Sequence, residues 1–378
     1  MLRLCKNRRF GLALVVTLAL APAVALAASG STPAAGTWRR LPASPIAPDA
    51  GSASAVWTGR QMLAFGTHQG VNVAAAYNPA ANTWRRLPSA GRAGTFPPYH
   101  SVWTGKEMLV WGQGTREAFN PRTNHWRRLP RSPLLTIHEG HGIVVWSGRE
   151  MIGWGGGCCG DAFSDGVAYN PATNKWRALA PTPLAGSQHP IGAWTGRELV
   201  IFVGNLDPDG KPWPARLARA AAYNPTTDTW RRTPRPPESD GTAVWDGGEV
   251  LVVGAGAHAR AALAYNPATN RWRRLPPMAP GHAGALAIWT GSRLLVWGGQ
   301  SGRAGTPLRS GLAYDPKVNR WSSIPQAPLP GRLEPTAVWT GRALIVWGGE
   351  KGVCRPGGVY GCHTKLFADG AAFTPKAR

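Results

Sequence analysis

Short apolar runs alternate with turn-forming residues along this chain, as in Met108-Leu109-Val110-Trp111 and Leu344-Ile345-Val346-Trp347. A Trp and a small turn precede each run, at Trp57-Thr58-Gly59, Trp103-Thr104-Gly105, Trp146-Ser147-Gly148, Trp194-Thr195-Gly196, Trp245-Asp246-Gly247, Trp289-Thr290-Gly291 and Trp339-Thr340-Gly341. Nine residues after each Trp comes a glycine position: Gly66, Gly112, Gly155, Val203 with Gly204 beside it, Gly254, Gly298 and Gly348. A further aromatic then stands before Asn-Pro or a variant of it, at Tyr77, Phe119, Tyr169, Tyr223, Tyr265, Tyr314 and Phe373. Seven residues after the first six of these stands another Trp: Trp84, Trp126, Trp176, Trp230, Trp272 and Trp321. Apolar runs bounded by Gly, Pro and Asn read as strands, because those residues preset the backbone angles of tight turns. Each unit therefore predicts four strands. The first ends at the Trp, the second at the glycines, the third carries the aromatic and the fourth opens on the second Trp.

Repeats of about 40 to 50 residues with four strands apiece are the signature of a β-propeller. The expected fold is all-β: one seven-bladed propeller over residues 28–378. Length alone, 378 residues at about 150 per domain, would have suggested two or three domains. The ends are complementary. Trp38-Arg39-Arg40-Leu41-Pro42 is a fourth strand with no aromatic before it, and Phe373-Thr374-Pro375 is a third strand with no Trp after it. The N-terminal strand is thus expected to complete the last blade and close the ring, which removes the unpaired edges of an open sheet.

An aromatic strand, paired glycines, then Tyr and Trp at fixed offsets resemble the kelch repeat, in outline from Leu109-Val110-Trp111-Gly112 through Phe119 to Trp126. The paired glycines stand at Gly155-Gly156, Gly298-Gly299 and Gly348-Gly349, and the other copies depart from the pattern. The resemblance implies a scaffold shared by non-catalytic binding modules, by exported sialic acid epimerases and by copper-dependent galactose oxidases. The oxidases carry added domains and a Cys-Tyr cofactor, whereas here the propeller consumes almost the whole chain.

The first residues alter the picture of where this ring works. Arg3, Lys6, Arg8 and Arg9 precede an apolar run from Gly11 to Ala21, and Ala25-Leu26-Ala27 supplies the small residues of a cleavage site. Residues 1–27 are expected to be a cleaved export signal, placing the protein in the periplasm or outside the cell; Arg8-Arg9 leaves the export route open. No later run approaches the roughly 20 apolar residues of a membrane span. The mature chain keeps four cysteines, and disulfides are expected in an oxidising compartment. Cys158 and Cys159 are adjacent in the blade 3 loop, and Cys354 and Cys362 flank a short segment in the blade 7 loop. Local pairing, Cys158 with Cys159 and Cys354 with Cys362, is favoured over a bridge across the ring.

The formal net charge is +23, largely from Arg. Much of it lies in the fourth strands, at Arg39-Arg40, Arg85-Arg86, Arg127-Arg128, Arg231-Arg232 and Arg273-Arg274. These predict a basic belt that blocks edge-to-edge pairing or attracts anionic envelope polymers. Nucleic acid is not expected as a partner of an exported protein.

Propeller topology puts the short, uniform first-to-second and third-to-fourth turns on one face. The second-to-third and fourth-to-first loops lie on the other. From the glycine position to the aromatic, the seven gaps run 11, 7, 14, 20, 11, 16 and 25 residues. Variable loops on a rigid scaffold are where binding sites are built. Upstream of the first-strand Trp residues, on that face, sit Tyr99 and His100, Glu139 and His141, His189, Asp240, His282, and Arg332 with Glu334. Sevenfold geometry is expected to direct these side chains toward one axial funnel. They form either a polar pocket for a sugar-like or anionic ligand, or a solvated mouth bridged by water. No metal motif of short His or Cys spacing is present, and no cofactor is implied.

Of the 19 Trp, only Trp213 falls outside the repeat register; it lies in the blade 4 loop, where an exposed indole can stack on a sugar. The expected function is a monomeric, non-catalytic binding module for a carbohydrate, an anionic cell-envelope polymer or another protein. The alternative is sugar modification of the epimerase or mutarotase type, with Arg332, Glu334, Glu139 and His189 supplying acid-base groups. A galactose-oxidase-like enzyme ranks below it.

Overall fold

Each repeat becomes one four-stranded antiparallel sheet. The computed structural model describes residues 36–49, 51–94, 99–134, 142–157, 161–204, 214, 216–256, 258–301, 306–354 and 362–376. Blades 1 to 6 span Ser54–Arg86, His100–Arg128, Ile143–Ala178, Ile191–Arg232, Thr242–Arg274 and Leu286–Ile324. Blade 7 is made from both ends of the chain. Its strands Thr336–Trp339, Leu344–Trp347 and Gly370–Pro375 are completed by Gly36–Arg40, with Trp38 opposite Phe373. First strands pack against their neighbours all the way round, including Thr336–Trp339 against Ser54–Trp57, so the ring is closed. Among the described residues there is no helix, and hence none long and apolar enough to cross a membrane.

Strand alternation explains how a sheet buries both faces. Successive side chains point to opposite sides, so each blade offers one row to the blade before and one to the blade after. Seven hydrophobic clusters result, one at each boundary. Between blades 3 and 4, for example, Ile152 and Trp154 meet Leu199 and Ile201, all essentially without solvent exposure. Close approach sets one glycine: a Cβ at Gly153 would lie 2.3 Å from the Trp111 ring of the preceding blade.

Polar staples repeat along the same boundaries. The indole N–H of every fourth-strand Trp donates to a backbone carbonyl of the preceding blade: Trp84 to Pro42, Trp126 to Pro88, Trp176 to Pro130, Trp230 to Ala180, Trp272 to Pro234, Trp321 to Pro276 and Trp38 to Pro325, at 2.7–3.2 Å. The Asn or Asp that ends each third-to-fourth turn has a left-handed backbone, as at Asn174 (φ 55°), a conformation these residues tolerate best after glycine. Where the third strand carries Tyr, in blades 1 and 3 to 6, the side chain of that turn residue also accepts from the Tyr hydroxyl, as in Tyr169 to Asn174 at 2.7 Å.

The arginine belt needs correction. The first Arg of each pair reaches across the boundary to the next blade rather than lying free on the rim. Arg127 binds Glu107 of its own blade at 2.6 Å and the Tyr169 hydroxyl of the next at 3.1 Å. Arg177 repeats this with Glu150 and Tyr223, and Arg231 and Arg273 take Glu198 and Glu249 while reaching Tyr265 and Tyr314. The second Arg of each pair, such as Arg40, Arg86 or Arg128, is exposed, as are Arg39, Arg85 and Arg273.

Candidate functional site

The first strands are half-buried along the channel, and their starts open on the face of the longer loops. In blades 1 and 2 the second-to-third connection shrinks to a tight hairpin, at Gln69-Gly70 and Gln113-Gly114. The second-to-third connections of blades 3, 4, 6 and 7 are longer in sequence.

Among the described residues the expected funnel side chains differ in exposure. His100 is half-buried at the first position of its strand, and His189 is exposed on the loop before blade 4. Asp240 accepts a hydrogen bond from the Gly256 amide at 2.9 Å, which ties its own blade's loop to the strand entrance. Glu334 is exposed and holds a left-handed backbone (φ 50°). Tyr99 is core, packed edge-on to Phe65 with ring centroids 6.0 Å apart. Glu139, His141, Trp213, Cys158 and Cys159 lie outside the described residues.

His282 and Arg332 are corrections to the funnel reading, because both are fully buried. They stand seven residues before their Trp, whereas His189, Asp240 and Glu334 stand five before theirs. In the buried register each side chain turns to the carbonyl of the glycine position 16 residues on. His282 Nδ1 meets Gly298 O at 2.8 Å, and Arg332 Nη1 meets Gly348 O at 2.9 Å. That carbonyl makes Nδ1 the donor, and burial lowers the pKa of His282, keeping its ring neutral. Arg332 also pairs with Asp369 at 2.8 Å and lies 4.2 Å over the Phe367 ring. Both residues brace loops from within.

One acidic group escaped the sequence reading. Between blades 7 and 1, Glu334 shares a cleft with Asp49 and Glu350, and burial, together with the Glu334 charge, raises the pKa of Glu350. Free space there is about 10 Å³, room for a single water rather than a ligand. Nothing in the local pattern announced it, because Asp49 and Glu350 come from opposite ends of the chain. In the blade 7 loop, Glu350–Cys354 and Cys362–Leu366 form an antiparallel hairpin whose register sets Cys354 directly opposite Cys362.

Residues 285–328, which contain blade 6, match the Kelch motif family model. Together with the seven closed four-stranded sheets, that match decides the architecture. The chain is a seven-bladed β-propeller whose sixth blade carries a Kelch motif. No curated protein matches its sequence. A fungal alcohol oxidase of the AA5 family, solved in complex with copper, is similar in structure: 14% identity, TM-score 0.62, covering 90% of this chain and 76% of that one. At that identity the likeness concerns the fold. Among the described residues no three His, Cys, Asp or Glu side chains gather as metal ligands.

Proposed function

We propose that this propeller is an exported, non-catalytic binding module whose variable-loop face takes a carbohydrate or an anionic envelope polymer. The contrast between its two faces carries this reading: uniform short turns on one side, and on the other loops of unequal length around half-buried His100 and Asp240 and exposed His189. Rigid rings with one variable face suit recognition, and function resides in such grafted sites rather than in the fold. The epimerase alternative would use Arg332 on substrate, and Arg332 is instead fully buried, held by Asp369 and the carbonyls of Pro330, Gly348 and Asp369.

A glycan array and anionic-polymer panel, probed with the mature chain and with His189→Ala, tests the proposal. Saturable binding to one class, weakened at least fivefold by the substitution, is the expected result. Turnover of a sugar in a mutarotation or epimerisation assay, lost in Glu334→Gln, would replace it with the enzymatic reading; silence across the panel would remove the carbohydrate and polymer ligands.

A further inference from the structure

The opposite face holds a cleft of about 550 Å³ between blades 6 and 7, a volume typical of small-molecule sites. Its position follows from a gap in the boundary staples. Blade 6 has Arg293 where blades 2 to 5 have Glu107, Glu150, Glu198 and Glu249, and Ser322 where they have Arg127, Arg177, Arg231 and Arg273. Blade 7 then offers Phe373, with no hydroxyl, where blades 3 to 6 offer Tyr. Its third and fourth strands come from distant parts of the chain, so no Asn-ended turn joins them. Every member of the Arg–Glu–Tyr–Asn staple is thus replaced at this boundary, and the space they fill elsewhere stands open.

The lining is amphipathic. Leu295, Ala313, Ile324 and Phe373 form a floor, each buried, with Trp339 beside them. Around the rim stand Arg293, Lys317, Arg342 and Lys376, against the single carboxylate of Asp315, which lies 3.7 Å from Arg293. Four cations to one anion above an apolar floor complement a molecule with an apolar body and one negative headgroup.

We propose that this cleft is a binding site for a small amphipathic anion, an aliphatic or aromatic carboxylate or sulfonate. The headgroup meets Arg342, Lys317 and Lys376 at the rim, and the apolar body lies against Ile324 and Phe373. The site is independent of the variable-loop face, and either can fail without the other.

The probes are 8-anilinonaphthalene-1-sulfonate, followed by fluorescence, and octanoate as its competitor, titrated into the mature chain. One saturable site is expected, with octanoate displacing the dye and 1-octanol at least tenfold less effective. Arg342→Glu, at an exposed position, is expected to weaken dye binding at least tenfold with an unchanged melt. Arg293→Glu with Ser322→Arg, which restores the pattern of the other blades, is expected to do the same. Lys106→Ala, in the separate cleft between blades 1 and 2, should leave binding intact. Absence of saturable binding, equal displacement by octanol, or wild-type affinity in both cleft variants overturns the proposal; so does loss in Lys106→Ala alone.

Discussion

Trp38 donates its indole N–H to the carbonyl of Pro325 at 2.7 Å, across 287 positions of sequence. Six other Trp residues make the same bond between blades joined by continuous chain. At the seam, that bond and the pairing of Gly36–Arg40 with Gly370–Pro375 stand in for the missing covalent link. Trp38→Ala is expected to cost about 3 kcal/mol, the usual scale for removing a packed indole, and removing residues 36–44 to lower the melting temperature by many degrees. Thermal unfolding checks both, and a melt within two degrees of wild type for the deletion would contradict closure by this strand.

A carboxylate sits where other blades place apolar side chains. Glu117 occupies the third-strand position held by Ala75, Val167, Ala221, Leu263, Leu312 and Ala371. Burial pushes its pKa up to about 7, although Arg128 and Arg116 pull the other way. The folded state therefore binds this proton more tightly than the unfolded chain, whose carboxyl titrates near its ordinary value of 4.5. Its contribution to stability is full below about pH 4.5, declines as pH rises toward 7, and is level above that. Glu117→Gln should raise the melting temperature by a few degrees at pH 8 and change it little at pH 4; equal shifts at both would show that charge is not the cause.

His282 works in the opposite direction. Burial lowers its pKa, so the folded state resists a proton that the unfolded chain accepts near the ordinary value of 6.5. Stability is lost as pH falls below about 6.5, until the folded ring itself titrates. In proton NMR its ring resonances should hold constant through pH 6.5. His282→Gln should reduce the acid loss.

The Arg127–Glu107 pair is only partly shielded, with side-chain exposures of 37% and 19%. A double-mutant cycle with Arg127→Met and Glu107→Gln should give a coupling of about 0.5–1 kcal/mol that shrinks in salt. A value near zero would leave Tyr169 and Asn174 as the partners through which Arg127 acts.

Blades, turns and closure were legible because the residues that make them recur. Trp, Gly and Asn each meet a local demand, and a local demand leaves a mark every time it is met. The Arg–Glu staple had such a mark too: Glu107, Glu150, Glu198 and Glu249 all lie four residues after their Trp. Strand alternation would have separated the two arginines of each pair. Loop residues were harder to place. His282 and Asp240 differ by two positions relative to their Trp, yet one is buried against Gly298 and the other is at the strand entrance. That difference depends on which carbonyl lies within reach, a property of two segments and not of either alone.

The paired indoles make the ring its own optical instrument. Trp84 with Trp347, Trp111 with Trp176, Trp154 with Trp230 and Trp38 with Trp297 lie 5.5–6.3 Å apart at interplanar angles of 44–61°, each straddling a different boundary. At such spacing the electronic transitions of paired rings couple, and a fixed tilt gives that coupling a handed signal in near-ultraviolet circular dichroism. The boundary between blades 1 and 2 pairs Trp126 with Phe65 instead, and the one between blades 4 and 5 pairs Trp272 with Phe202. Loosening of the seam, carried by Trp38 and Trp297, is therefore spectroscopically distinct from loosening at either of those two.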